Sequence, residues 1–213
     1  MQSQIIGEWA KKNGIAISQL QWMQLQMHHD MVLETNRHVN LTAITEPQDF
    51  AVKHIIDSLT ALKHIPQGAG TLADIGTGAG FPGIVLAIMR PHIPVVLLDS
   101  LLKRVNFLQD VVHALGLENV KCLHARAEEF ARTEEKFDVC IARAVASIDK
   151  LAKWVLPMVA TRGIFLAMKG PNVQDEIAKA QKMLTKHKGV VRSIEDVELP
   201  GGIKHSIVVV GKV

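Results

Sequence analysis

Hydrophobic positions change their spacing along this chain. From residue 72 onward, short apolar runs alternate with segments of helical period. Leu72 to Ile75, Val95 to Leu98, Val120 to Leu123, Phe137 to Ile141 and Ile164 to Ala167 read as buried strands. Between them, Leu101, Val105, Leu108 and Val112, and later Leu151, Val155 and Met158, place apolar side chains on one helical face. Ser100 and Ser147 stand where they can cap those two helices, Gly116 stops the first, and a further helix begins at Phe81 with Pro82 in its first turn. A last helix over residues 173–187 leads to two strands, near 190–199 and 206–210, which Pro200, Gly201 and Gly202 join as a hairpin. Strand and helix in alternation specify a parallel sheet. The expected fold is α/β, a mostly parallel, Rossmann-like sheet of seven strands with a C-terminal antiparallel hairpin.

Residues 1–66 follow a different pattern and form an N-terminal helical segment that packs on the core, residues 67–213 being the α/β unit. Ser18 and Gln21 make a capping box, after which Leu20, Met23, Met27 and Met31 recur as an apolar stripe that must be buried. Thr45 and Gln48 make a second box ahead of Phe50, Ile55, Leu59 and Leu62. The connection from Asn36 to Ile44 carries Arg37, Asn40 and Thr42, polar groups that a plain linker does not need and that suit a ligand. On the following helix, His54, Asp57 and Ser58 either line a cleft or form a solvated face, the second being the ordinary arrangement.

The densest signal is the turn after the first strand, LADIGTGAGFPG, from Leu72 to Gly83. Gly76, Gly78, Gly80 and Gly83 give the backbone positive φ or the close approach of another group. A dinucleotide fingerprint sets its GxGxxG directly after the strand, whereas the match here, Gly78 to Gly83, is displaced by two residues and contains Phe81 and Pro82. An acid, Asp74, two residues before the first glycine suits instead a cofactor with a positive ammonium and sulfonium, S-adenosylmethionine. In an open parallel sheet the ligand lies beyond the carboxyl ends of the strands. Those ends carry Asp99, placed for ribose hydroxyls, Ala127 and Glu128, placed for an adenine edge, and then Arg143 and Lys169. Lys103, Arg104, Arg126, Arg143 and Lys169 ring the same rim, a setting for a phosphate backbone.

Composition trims the alternatives. A net charge of +3 tolerates an anionic partner without requiring one, and the absence of tyrosine argues against base stacking as the main mode of RNA binding. Cys122 and Cys140 fall in strand-like runs as small buried thiols. The first nine residues lack a basic stretch followed by an apolar block, and the longest apolar runs are too short for a bilayer, so a reduced, cytoplasmic setting without membrane contact is expected. His28, His29 and Asp30 diverge around their helix and make no metal site. After the fourth strand stands Ala142, Arg143, Ala144 rather than the acid, double proline and aromatic of an amino-directed methylase, and Cys140 lies inside a strand, unlike the nucleophile of a C5 pyrimidine methylase. The remaining acceptor is nucleophilic without losing a proton, such as guanine N7. That chemistry needs position and no general base.

NLTAI at Asn40 to Ile44, HIIDSL at His54 to Leu59, ADIGTGAGFPGIVLAI at Ala73 to Ile88, LLDSLLKRVNFL at Leu97 to Leu108, ARAEE at Ala125 to Glu129 and ARAVAS at Ala142 to Ser147 resemble the bacterial 16S ribosomal RNA guanine-N7 methyltransferases, the glucose-inhibited division protein B family. The resemblance implies methyl transfer from S-adenosylmethionine to N7 of a guanine in the 530 loop of 16S RNA, in the small subunit or its precursor, by a monomer. It implies that Gly76, Phe81, Ala127, Glu128 and Arg143 contact the cofactor, Asp99 its ribose, and Arg126 and Arg143 the guanine or nearby RNA. Arg37, Asn40 and Lys204 complete the expected RNA contacts, although many members carry Arg-His where this chain has Lys204 and His205, and lysine lacks the bidentate fork. Arg143→Ala is expected to impair transfer without unfolding the protein. The rival readings are a nicotinamide oxidoreductase and a non-catalytic RNA-binding module of the same fold.

Overall fold

The computed structural model describes residues 2–213. Its seven strands, β1 (Leu72–Ile75), β2 (Val95–Asp99), β3 (Val120–His124), β4 (Phe137–Arg143), β5 (Val159–Lys169), β6 (Gly189–Leu199) and β7 (Ile203–Lys212), form one sheet in the order β3-β2-β1-β4-β5-β7-β6. β1 to β5 pair in parallel, and β7 runs antiparallel to both β5 and β6. The expected sheet and hairpin are therefore present. β1 and β4 are buried on both faces because helices cover both, which is why their sequences read as unbroken apolar runs. Two clusters fill these layers, one around Leu97, Val139 and Leu166, the other around Cys140, Phe165 and Val208.

The N-terminal segment belongs to the first cluster. Ile6 of α1 (Ser3–Lys12), Leu25 and Val32 of α2 (Gln19–Thr35) and Phe50 pack with Leu72, Leu97 and Val139 of the sheet. Ser18 and Gln21 form the expected capping box. The expected stripe does not hold: Leu20, Met23 and Met27 are 63%, 58% and 42% exposed, and α2 buries Leu25, His28, His29 and Val32 instead. Apolar residues are spread around α2, so their periodicity chooses no face. Burial of His28 is made possible by a partner, the carbonyl of Ala79, 2.8 Å from its Nε2.

Other differences are local. Thr45 caps nothing: α3 (Pro47–Phe50) starts one residue after Glu46, with Pro47 at its first position. It runs into a π turn over Ala51–Ile56 and then α4 (Asp57–Thr60), which changes the helical phase and puts His54, Asp57 and Ser58 inside rather than on a solvated face. Phe81 and Pro82 precede α5 (Gly83–Met89). Ser100 is not the cap of α6 (Leu102–Leu115), whose cap position is Leu101, its N–H bonded to Asp99 Oδ1 at 2.9 Å. Gly116 ends α6 in the left-handed region, φ 62°, as glycine allows. Ser147 precedes α7 (Ile148–Val155) without a side-chain cap, and the Ile148 N–H goes to Glu176 Oε1 on α8 (Gln174–Lys186), 2.7 Å away. Cys140 is buried and Cys122 half-buried, and burial raises both thiols, Cys122 to about 11. Among the described residues no helix is long and apolar enough to cross a membrane.

Candidate active site

Two cavities open at the carboxyl ends of the parallel strands, on either side of the loop that leaves β4. The first, 190 Å³, is lined by Gly76, Asp99, Arg126, Ala127 and Glu128 among others, so the ends of β1, β2 and β3 meet there as the sequence led one to expect. The second, 370 Å³, is lined by Arg143, His54, Asp57, His205 and Lys169, with apolar walls from Ile44, Met168, Leu199 and Ile203. Ala144 faces the second cavity and Val145 the first.

Of the glycine turn, Gly76 lines the first cavity. Gly76, Gly78 and Gly80 have φ of 72°, 62° and 93°, so a side chain at any of the three would be strained. Asp99, 4% exposed, accepts from the Gly78 N–H through Oδ2 at 2.9 Å and from Leu101 through Oδ1. A carboxylate has about four acceptor sites, so two remain for hydroxyls. Asp99 and Glu128 give the cavity two acids, a donor set that fits a cationic nucleoside such as S-adenosylmethionine. Its volume lies below the ~300 Å³ of common small-molecule sites. Val145 borders the cavity and lies over Gly76, where a Cβ would come 2.7 Å from Val145 Cγ2. Val145 and Trp154, which also lines this cavity, went unnoticed in the sequence because each sits in a stretch that reads as ordinary helix or loop.

Asp74, Gly78, Gly80 and Phe81 line neither cavity. Asp74 is fully buried, and its Oδ2 accepts from the Gly83 N–H at 2.8 Å, which holds the start of α5. Burial raises its pKa from 3.8 to about 6, against the bond from the Gly83 N–H, which lowers it. A carboxyl bound more tightly to its proton in the native state makes stability fall as pH rises from about 4 to about 6. Asp74→Asn keeps the acceptor and removes the charge. It should gain on the order of 2–3 kcal/mol at pH 7.5 and little at pH 4, read as urea midpoints at both pH values. Equal gains at the two would show that Asp74 is not the titrating group.

Phe81 sits between two imidazoles, its centroid 4.7 Å from His28 and 4.4 Å from His54. His54 faces Arg143: its Nδ1 lies 3.1 Å from Nη2, and since a guanidinium only donates, the His54 proton is on Nε2, which donates to Thr42 Oγ1 at 2.9 Å. The Arg143 Nη1 donates to the Lys53 carbonyl at 2.8 Å and to Asp57 Oδ2 at 2.7 Å, and the guanidinium lies 5.5 Å over the Phe81 ring. Asp57, 7% exposed, also meets His205 Nδ1 through Oδ1. His205 and the neighbouring Arg143 hold the Asp57 carboxyl below its usual range, against its burial.

The expected RNA contacts divide. Arg37, Asn40, Lys103, Arg126 and Lys204 are exposed. Arg104 turns inward, Nη1 3.7 Å from Asp99 Oδ2. Lys169 is 14% exposed and tied to the Ala146 carbonyl at 2.7 Å and Glu176 at 2.8 Å, so it pins the loop between the cavities instead of standing free. Asn36, in the connection expected to meet a ligand, closes it internally, accepting from Leu41 and Thr42 and donating to the Thr42 carbonyl. No cluster of potential metal ligands occurs among the described residues.

The strand order and the cavities at the strand ends define a class I S-adenosylmethionine-dependent methyltransferase fold. Solved structures share it: precorrin-6y C5,15-methyltransferase from Geobacter metallireducens superposes with a TM-score of 0.57 at 16% identity, over 81% of this chain and 92% of that one. M. jannaschii TYW2 in complex with AdoMet gives 0.57 at 16% identity over 75% and 76%. Within that class the chain belongs to the GidB family, rRNA small subunit methyltransferase G, whose model matches residues 21–207. A "Ribosomal RNA small subunit methyltransferase G" from Clostridium botulinum is 46% identical over 209 residues, 96% of this chain and 87% of that protein.

Proposed function

We propose that this protein transfers a methyl group from S-adenosylmethionine to N7 of a guanine in the 530 loop of 16S ribosomal RNA, acting as a monomer on the small subunit or its precursor. The observation that carries this reading is the pair of cavities with one loop between them, the first bordered by Gly76, Asp99, Ala127 and Glu128 and the second by Arg143. The cofactor, when bound, supplies an electrophilic methyl on a sulfonium. Asp99 would hold the ribose, and Gly76, Ala127 and Glu128 the rest of the nucleoside. N7 attacks with its own lone pair, so the chain has to orient a base and exclude water, and no side chain has to take a proton. His54 suits that requirement, being a neutral ring that accepts from Arg143 and takes no part as a base. Arg126, which borders the first cavity, and the exposed Lys103 and Lys204 would meet phosphates.

The test is incubation with methyl-labelled S-adenosylmethionine and small subunits that lack their native modifications, followed by digestion and mass spectrometry of the labelled nucleoside. N7-methylguanosine is the expected product. Label on another base or atom keeps the cofactor and overturns the acceptor.

A further inference from the structure

The helices on the far side of the sheet from the N-terminal segment carry a charge that the two cavities do not use. α7 and α8 pack through Leu151, Val155, Ala180 and Leu184 with Phe165 and Val208 of the second core cluster, and their outward positions are basic. From Ile148 to Arg192 the chain has nine lysines and arginines and three acids, an excess larger than the +3 of the whole molecule. All three acids, Asp149, Asp175 and Glu176, stand in the first turns of the two helices, where the helix dipole favours them, and Glu176 is already bound to Lys169. Beyond Asp149 and Glu176 the helices carry only cations. Lys150 and Lys153 lie on α7, Lys179, Lys182 and Lys186 share one stripe of α8, and Lys188 follows. All six are exposed, and among the described residues none makes an ion pair. Lys153 and Lys186 complement the carboxyl ends of their helices, but Lys150, Lys179 and Lys182 stand too early in theirs to do so. The charges also crowd one another: burial, and then Lys186, Lys212 and Lys153, depress the pKa of His187, which brings the ends of α7, α8 and β7 to one pole. Like charges gathered without acids repel, and a counter-charge from outside relieves the repulsion.

We propose that the outer face of α7 and α8 is a second docking surface for ribosomal RNA, where Lys150, Lys153, Lys179, Lys182, Lys186 and Lys188 meet the phosphates of a segment other than the one that enters the cavities. This rests on the RNA substrate of the reading above. A lipid surface also attracts cations, but the exposed large apolar side chains, Leu20, Met23 and Leu101 among them, lie elsewhere, and none is on α7 or α8 to enter a bilayer. The stripe has length: at ~1.5 Å per residue, Lys179 to Lys186 cover about 10 Å of helix. Arg37 and Asn40, expected from the sequence as RNA contacts, belong to the N-terminal segment, which packs with the other core cluster. Both sets are satisfied together by folded RNA that meets the protein on two sides. Phosphate contacts carry no base information, so this face sets how tightly the RNA is held and leaves the choice of nucleotide to the cavities.

The experiment measures binding of the full chain to protein-free 16S RNA across a salt series, with methyl transfer measured separately. Lys153→Gln, Lys182→Gln and Lys186→Gln combined keep good helix formers and remove three charges. Kd for the RNA should rise about 10-fold or more, and the slope of log K against log salt should become shallower by about 2 to 3. The melting temperature should hold or rise slightly as repulsion is relieved, whereas a merely structural role would lower it. The control combines Lys11→Gln, Lys12→Gln and Lys121→Gln, exposed positions on α1 and β3 that change the net charge equally. Its Kd should stay within about threefold of wild type, because its charges lie off the docking face. Equal losses in the two variants would mean that net charge alone acts, and overturn the docking face. An unchanged Kd in the helix variant overturns it too, as does wild type that binds vesicles of anionic phospholipid and not the RNA. Wild type that binds RNA through these lysines yet transfers no methyl supports the face and overturns the methyltransferase reading, a separate result.

Discussion

Between pH 7 and pH 4.5 the protein is expected to lose about 5 kcal/mol of stability through His28 and His54 alone. Burial lowers His28 from 6.5 to about 4 and His54 to about 3, the latter helped by the Arg143 charge beside it. A histidine whose folded pKa is depressed stays neutral in the native state while the unfolded chain takes up its proton. Stability is therefore complete above about 6.5 and drains away as pH falls toward 4 and 3. Asp57, held ionised by its partners, adds to the loss in the more acidic part of that window, and Asp74 opposes it by returning about 2 kcal/mol as it becomes protonated. Urea titrations at pH 7, 5.5 and 4.5 should show the midpoint falling. His28→Gln retains a donor for the Ala79 carbonyl without titrating, and should remove about half of the histidine-driven loss. A slope identical to wild type in that variant would mean that other groups drive acid unfolding.

Arg143→Ala should lower the unfolding free energy by about 3–5 kcal/mol, because it leaves the Asp57 carboxylate and the Lys53 carbonyl without their charged partner in a closed site. For a chain of this length that is a drop on the order of 10 °C in melting temperature. The sequence alone suggested a loss of transfer in an otherwise intact fold. The structure revises that, since Arg143 is also the peg that fastens the Lys53 to Asp57 stretch to the end of β4. Arg143→Lys should recover little, as an ammonium cannot span Lys53, His54 and Asp57 in one plane. Scanning calorimetry decides it, and a variant melting within 2 °C of wild type would refute the structural half of this role.

The sheet was legible in the sequence because fully buried parallel strands leave continuous apolar runs with helical periods between them, and Gly76 to Gly83 mark their own turn. Gly76, Asp99, Ala127 and Glu128 could be brought together in advance because a rule of topology, ligands at the carboxyl ends of strands, does so. What escaped were contacts between segments far apart in the chain. Nothing near Asp57 in sequence announces Arg143, 86 residues away, or His205. Polar residues on a helix read as solvated unless their partners are known, and the π turn at Ala51–Ile56 shifts the very phase on which that reading depends. Lys169 shows the converse: a cation at a strand end looks free until Ala146 and Glu176 are seen to hold it.

Two consecutive residues border different cavities, Ala144 the larger and Val145 the smaller. Were an occupant to displace Val145 and Ala144 together, filling one chamber would alter the shape of the other, and the two affinities would be linked by one shared coupling factor. If each occupant favours the same displaced pair, an RNA-bound protein takes up methyl donor more tightly than a free one, and the donor tightens RNA by an identical ratio. The length of time the protein stays on its RNA would then follow the supply of methyl donor around it.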